Sequence, residues 1–395
     1  MTEKVIERAI DDLTKKYGKS FFGKADEVVP AISSGSIALD CATKLPGLPR
    51  GRIIEYIGLE SSGKSTMALR AVGAAQEAGE YCAWIDAEQA FEPGWAKRHG
   101  VFLENDGGPK DLKLIYPEYG EQAFDAVDEL ARTCKFSIIV VDSVAALLPK
   151  AEMEAEMDQQ HMGTQSRMIS QALRKLNPSL AKTNTTLILI NQLRQKIGVM
   201  FGNPYTTPGG LAIKFYSSVR VDFRSKKLKK GDKEIGIDIN FKIIKNKVGA
   251  PHHEGSTQLI FGYGIDEANE IAEMAVTKGI VAFEGRRYSL DGNELAVGID
   301  EFKNKIRTDV VLRADIKNRL IEFTKAEIAP SPEIPEVEPK ELEPKKKEST
   351  EDEPETKSRA KRSLYMQEAP VAVALPPSEE VDMGSEAEPR RGRRK

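Results

Sequence analysis

An α/β fold built on a mostly parallel, twisted sheet is what this 395-residue sequence predicts, on the strength of three observations. Seven apolar runs alternate with helical segments between about residues 33 and 261, a rhythm that specifies parallel strands joined by crossover helices. Several runs are apolar almost throughout, as expected of strands covered by helices on both faces. The first, 53–57, leads directly into Gly58-Leu59-Glu60-Ser61-Ser62-Gly63-Lys64-Ser65, a G-x-x-x-x-G-K-[ST] sequence followed by the helical run 66–70. A strand before and a helix behind are the context in which that spacing becomes a phosphate-binding loop. In such a sheet, ligands gather at the carboxyl ends of the strands.

In chain order, Val5, Ile6, Ile10 and Leu13 recur at helical spacing and predict a short helix with one apolar face inside segment 1–32. That face can pack on another subunit, as an oligomerisation element, or on the chain's own core. Strands are expected at 53–57, 81–86, 112–116, 136–142, 186–191, 219–223 and 241–245, and helices near 65–78, 120–133 and 165–182, together a core domain over 33–265. Two segments break the rhythm. Residues 151–164 and 192–210 are long, irregular and rich in Met, Gly and polar groups, and long loops inside a compact domain are usually functional. A mixed pattern over 266–328 predicts a small α/β second domain. Residues 329–395 are dominated by Glu, Pro and Lys before a basic end at 390–395, with too little apolar surface to fold, so a disordered charged tail is expected.

A net charge of -3 excludes a general polyanion binder, so nucleic-acid contacts must come from local basic patches or inserted side chains. Cys41, Cys82 and Cys134 lack C-x-x-C spacing and read as free thiols in a reducing, cytoplasmic compartment. The four histidines show no metal-ligand spacing. The charged, amphipathic N-terminus is unlike a signal peptide. No apolar run reaches the roughly 18 residues that span a membrane.

The glycines of the 58–65 loop let backbone N–H groups turn toward a phosphate, backed by the positive end of a helix. Gly58 through Thr66 therefore form the expected ATP-binding set, Lys64 reaching the β/γ-phosphates and Ser65 holding Mg²⁺. Asp142 ends the apolar strand 136–142, where a carboxylate orients Mg²⁺ through water. A neighbouring strand leads into Asp86-Ala87-Glu88, and a carboxylate there can polarise a water for attack on the γ-phosphate; Glu88 and Asp86 both fit. A third strand ends in Asn191-Gln192. An amide there can touch the γ-phosphate and lose it after hydrolysis, and Gln192 also opens the 192–210 loop, so it can link nucleotide state to what that loop binds.

These residues resemble the bacterial RecA-type recombinases. The matching stretches are Ser33-Ser34-Gly35-Ser36, the 58–65 loop, Ile85-Asp86-Ala87-Glu88, 140–147, His161-Met162-Gly163, the KIGVMFGNP stretch at 196–204, Gly209-Gly210, 211–216 and Lys245-Asn246-Lys247. A ring-shaped helicase would share the core without the 196–204 loop. The resemblance implies a DNA-dependent ATPase that forms helical filaments on single-stranded DNA, with ATP at subunit junctions, and pairs that strand with homologous double-stranded DNA. It also implies partners such as SOS-type repressors, whose self-cleavage it would stimulate, and single-strand-binding protein.

By position, Glu88 matches the catalytic glutamate and Gln192 the γ-phosphate sensor. Trp95 stands where the family has a tyrosine beside the adenine, and Glu92 replaces a nearby aspartate. Lys245 and Lys247 match lysines that reach the next subunit's ATP; two residues apart on a strand, they share a face. Two cations on one γ-phosphate would stabilise the transition state and tie hydrolysis to assembly. Contacts to DNA fall to Met162, Gly163, Arg167, Arg174, Arg194, Lys196, Ile197, Met200, Phe201, Gly209 and Gly210, a mixture of phosphate contacts and inserted apolar groups suited to single strands. The chain departs from the pattern at Tyr205 (for glutamate) and Pro208 (for threonine). Ser225 and Asn240 replace arginines expected to hold the second DNA strand, with Lys226, Lys227, Lys229 and Lys230 nearby.

Overall fold

The computed structural model describes residues 2–18, 22, 29–104, 106–107, 110–156, 163–195 and 205–328. Helix α1 (Thr2–Tyr17) precedes β1 (Ala31–Ile32), α2 (Ile37–Ala42), β2 (Leu48–Pro49), β3 (Ile53–Gly58) and α3 (Lys64–Glu77). Next come β4 (Tyr81–Asp86), α4 (Pro93–Arg98), β5 (Lys113–Ile115), α5 (Gly120–Arg132) and β6 (Phe136–Asp142). They are followed by α6 (Lys150–Met153), α7 (Thr164–Thr183), β7 (Thr186–Gln192), β8 (Arg194–Gln195), β9 (Tyr205–Thr206) and α8 (Gly210–Tyr216). A meander of β10 (Val219–Lys230), β11 (Lys233–Asn246), β12 (Glu254–Ile260) and β13 (Gly264–Ile265) follows. The chain then forms α9 (Glu267–Thr277), β14 (Ala282–Glu284), β15 (Arg287–Leu290), β16 (Asn293–Val297), α10 (Ile299–Thr308) and α11 (Val310–Ile328).

Nine strands make one sheet in the order β13-β12-β11-β10-β3-β7-β6-β4-β5. Neighbours from β10 to β5 run parallel, whereas β10 to β13 run antiparallel. The mostly parallel α/β sheet is therefore present, with an antiparallel extension that the sequence reading truncated. β10 continues past Phe223 through exposed lysines, and β12 is the polar run EGSTQLI, so neither carries an apolar signal. The described ends of segment 192–210 are also more regular than expected. β8 and β9 pair Arg194 with Thr206 and Gln195 with Tyr205, which brings the two ends of the loop together.

Strand alternation sends successive side chains to opposite faces, and each face has its own core. Ile54, Tyr56, Trp84 and Val140 pack with Met67, Ala68 and Ala71 of α3, while Ile53, Ile85 and Ile139 pack with Phe124 and Val127 of α5 and Ile169 and Leu173 of α7. Truncating one such buried Ile or Leu to Ala costs about 2–5 kcal/mol, so the strand ends that carry the site are held on a stiff plate. Residues of α9, β15, α10 and α11 form a third core, which also takes in Ile37 and Cys41 of α2. Buried Glu270 accepts from Ser36 Oγ and the Ala38 N–H, both at 2.8 Å, and fastens α9 to the start of α2.

The apolar face of α1 is not packed on the protein's own core: Val5, Ile6, Ile10 and Leu13 are exposed. Cys41 and Cys82 are buried free thiols, and Cys134 is free and exposed. Among the described residues, no helix is long and apolar enough to cross a membrane.

Candidate functional site

The carboxyl end of β3 delivers the phosphate-loop residues in a closed turn. A side chain at Gly58 would put its Cβ 2.4 Å from Ser62 Oγ and 2.5 Å from the Phe223 carbonyl, so only glycine permits this approach. Gly63, at φ 91, occupies the left-handed region and starts α3. Lys64 is buried in the first turn of α3. Its ammonium donates to the Leu59 carbonyl at 2.7 Å and to Ser62 Oγ at 3.4 Å. Burial holds the ammonium below its ordinary pKa, against the opposing pull of Asp142, Glu88 and Glu60. A weakly solvated cation inside a concave turn at a helix N-terminus suits a polyphosphate.

Asp142 lies across the β4–β6 register from Asp86. Burial, then the neighbouring Glu88 and Asp86 carboxylates, push its pKa up to about 6, although the Ser65 hydroxyl donates to it and Lys64 lies close. Among the described residues no group of three or more His, Cys, Asp or Glu could hold a metal ion. The Ser65–Asp142 pair fits Mg²⁺ nonetheless, because Mg²⁺ is commonly held by one or two carboxylates with water and substrate phosphates.

The Asp142 carbonyl accepts the N–H groups of Ala87 (2.8 Å) and Glu88 (3.4 Å), which curls the segment after β4 over the site. The two candidate bases then separate. Asp86 is buried, and its carboxylate accepts the Phe91 N–H at 2.9 Å. Glu88 is exposed, and one carboxylate oxygen accepts both the Ser143 hydroxyl and the Gln192 amide, the latter at 3.1 Å. Glu88, Gln192, Lys64, Ser65 and Asp142 thus converge from the ends of four adjacent parallel strands.

Trp95 is half-buried. Its indole N–H donates to Thr66 Oγ1 at 3.3 Å, and its ring lies 4.5 Å from that of His99. This places an aromatic face beside the start of α3. Glu92 is the N-cap of α4 and accepts the N–H groups of Gly94 and Trp95, so it orients Trp95 through the helix it begins. Lys245 and Lys247 are not brought to the phosphate loop of their own chain. Their ammonium groups donate to carbonyls at the end of α8, those of Lys214 and Phe215 for Lys245 and that of Phe215 (2.8 Å) for Lys247.

On the loop side, Gly163 and Gly209 are left-handed N-caps of α7 and α8, and Gly210 is also left-handed at φ 71. Arg167 and Arg174, two turns apart, are exposed on one face of α7. With Ser166, Ser170, Gln171, Leu211 and Ala212 they line an open depression of about 590 Å³ between α7 and the start of α8. A Cβ added at Gly210 would lie 3.1 Å from Ser166 Oγ, so the glycine lets the two helices approach closely. Arg194 is exposed in β8. Met162, Lys196, Ile197, Met200 and Phe201, like the tail 329–395, lie outside the described residues.

Ser225 Oγ donates to the Ser61 carbonyl at 3.2 Å, and Asn240 stands opposite Arg224 in the β10–β11 pair. The lysines beyond them are exposed along the ribbon, with Lys227 paired to Glu234 at 2.8 Å. Three side chains at the site escaped the sequence reading, Ser143, Glu55 and Arg220, and Asn191 was noted only as the end of its strand. Only Glu55, a charge inside an apolar strand, carried a local signal.

The sequence model of the RecA N-terminal domain family matches residues 4–266. A protein named RecA from Frankia casuarinae is 45% identical over 342 residues, covering 85% of this chain and 97% of that protein. The RecA proteins of Acinetobacter baylyi and Thermus thermophilus are 44% and 42% identical, covering 75% and 81% of this chain and 84% and 94% of theirs.

Proposed function

Since the chain belongs to the RecA family, we infer that it is a DNA-dependent ATPase that forms helical filaments on single-stranded DNA and catalyses homologous pairing and strand exchange in recombinational repair. One observation carries the site assignment: the 3.1 Å hydrogen bond from Gln192 to Glu88, beside Lys64 and Asp142. It joins a candidate base to a residue at the root of a loop.

In the reading we favour, the N–H groups of the 58–66 turn cradle the phosphates, and Lys64 leaves the Leu59 carbonyl to neutralise the β/γ oxygens. Ser65 and Asp142 would hold Mg²⁺, which would supply charge neutralisation on those oxygens. The ring of Trp95 offers a surface to the adenine. Glu88 takes the proton of the attacking water as its oxygen bonds to the γ-phosphorus and the β–γ bridge leaves with ADP. Gln192 exchanges Glu88 for the γ-phosphate and shifts the loop it opens.

Lys245 and Lys247 would complete the site of a neighbouring protomer. Their present carbonyl partners leave them poised at the surface, and exchanging those partners for phosphate makes hydrolysis depend on assembly. The exposed face of α1 would cover a neighbouring protomer. Arg167, Arg174, Arg194 and the N-termini of α7 and α8 would hold strand phosphates, with 162–163 and 196–201 supplying the remaining contacts. Assignment of 1–32, 33–265, 266–328 and 329–395 as separate functional segments belongs to the same reading. So do a cytoplasmic location, SOS-type repressors and single-strand-binding protein as partners, and the lysine ribbon in place of the missing arginines for duplex capture. Negative-stain images with single-stranded DNA and ATPγS test the assembly: helical filaments are expected, and closed rings would contradict it.

A further inference from the structure

Two buried side chains, Glu55 and Asn191, and the partly buried Arg220 connect the candidate sensor to the far end of the loop it opens. Glu55 is fully buried in β3, and its carboxylate has two partners from the adjacent strands. One oxygen accepts the Arg220 guanidinium of β10, and the other accepts Asn191 Nδ2 of β7 at 3.0 Å. The same Nδ2 donates to the Pro208 carbonyl at 3.2 Å, and Asn191 Oδ1 accepts the Gln192 N–H at 3.0 Å. One amide therefore holds the residue that enters the loop and the residue just ahead of Gly209-Gly210 and α8. Its orientation is forced, because a flipped amide would turn its oxygen toward the Glu55 carboxylate. Arg220 stands opposite Lys245 in the β10–β11 register, so the network also borders the end of β11, which carries Lys245, with Lys247 one residue beyond the strand.

We propose that Asn191, clamped by the Glu55–Arg220 pair, is a positioning residue that passes the displacement of Gln192 to Pro208 and the N-terminus of α8. The proposal rests on the reading of Gln192 as the γ-phosphate sensor. A loop tied at its mouth by a single amide cannot move at one root alone. When Gln192 leaves Glu88, its N–H carries the Asn191 side chain, and the Pro208 carbonyl follows. Gly209 and Gly210, at φ 84 and 71, are the residues through which the start of α8 then shifts.

The test compares the full chain with Asn191→Leu, with the double variant Glu55→Leu/Arg220→Met, and with Gln192→Ala. The readouts are ATP hydrolysis and oligo(dT) affinity in ATPγS and in ADP. Asn191→Leu should keep its KM for ATP within about two-fold while losing DNA-stimulated kcat. Its ratio of ATPγS-state to ADP-state DNA affinity should fall from the roughly 5- to 150-fold typical of coupled sites toward one. The double variant removes both charges, so neither is left buried alone, and should uncouple in the same way. Coupling kept in both variants but lost in Gln192→Ala would overturn the clamp and leave the sensor standing. Coupling kept in Gln192→Ala would overturn the sensor, and the clamp with it. Hydrogen exchange on the unaltered chain decides the matter even if a variant fails to fold. ATPγS should slow exchange at Gln192 and across 209–212 together, and protection on one side only would refute the proposal.

Discussion

Asp142→Asn should make the nucleotide-free protein more stable while removing its response to Mg²⁺. The native carboxyl is displaced from the ordinary 3.8 to about 6, chiefly by burial. At about 1.4 kcal/mol per tenfold change, holding it ionised costs the folded chain about 3 kcal/mol at neutral pH. The sign follows from linkage. A folded-state pKa above the unfolded value means that the folded chain binds the proton more tightly, so the ionisation cost is absent below about pH 4, develops as pH rises to about 6, and is complete above that. Asparagine retains an acceptor for the Ser65 hydroxyl without the charge. Urea unfolding in EDTA at pH 8 should therefore show the variant more stable by about 1–3 kcal/mol, an advantage that fades as pH falls from about 6 to 4. ATPγS with Mg²⁺ should stabilise the native protein and leave the variant almost unmoved. A variant equal to or weaker than the native chain at pH 8 would refute the claim that this carboxylate is held in a costly state for its ligand.

Replacing Arg167 or Arg174 by Ala should make the slope of log affinity for single-stranded DNA against log salt shallower by about 0.7 per residue, measured by titration from low to high salt. Ile10→Glu should abolish assembly in light scattering and change protomer stability by no more than about 0.5 kcal/mol, because the side chain is exposed in the single chain. Deleting 329–395 should leave hydrolysis and its stimulation by single strands intact. Loss of activity would show that the tail takes part in the folded protein.

Local chemistry was the legible part of the sequence. The phosphate loop is a contiguous motif between a strand and a helix, and the strands ending in Asp142 and Gln192 are buried on both faces and so mostly apolar. What depended on polar or distant contacts was not legible. β12 and the outer half of β10 are strands held by pairing to β11 rather than by an apolar face. Asp86 and Glu88 leave the same strand two residues apart. They are separated only by where the 87–91 turn folds, which hands Asp86 to the Phe91 N–H and leaves Glu88 facing Gln192. The Glu55–Asn191–Arg220 network unites three strands distant in sequence, and spacing cannot anticipate it. The α1 face was ambiguous because an apolar stripe specifies that something covers it without saying what.

In the proposed mechanism the side-chain amide of Gln192, at the end of β7, ties ATP state to the grip on DNA. Steady-state ATP hydrolysis with and without oligo(dT), for the native protein and Gln192→Ala, tests it most directly. Oligo(dT) should raise the native rate strongly and leave the variant at its unstimulated rate, with KM for ATP little changed. A native rate indifferent to the oligonucleotide, or a variant stimulated as fully as the native chain, would contradict the account.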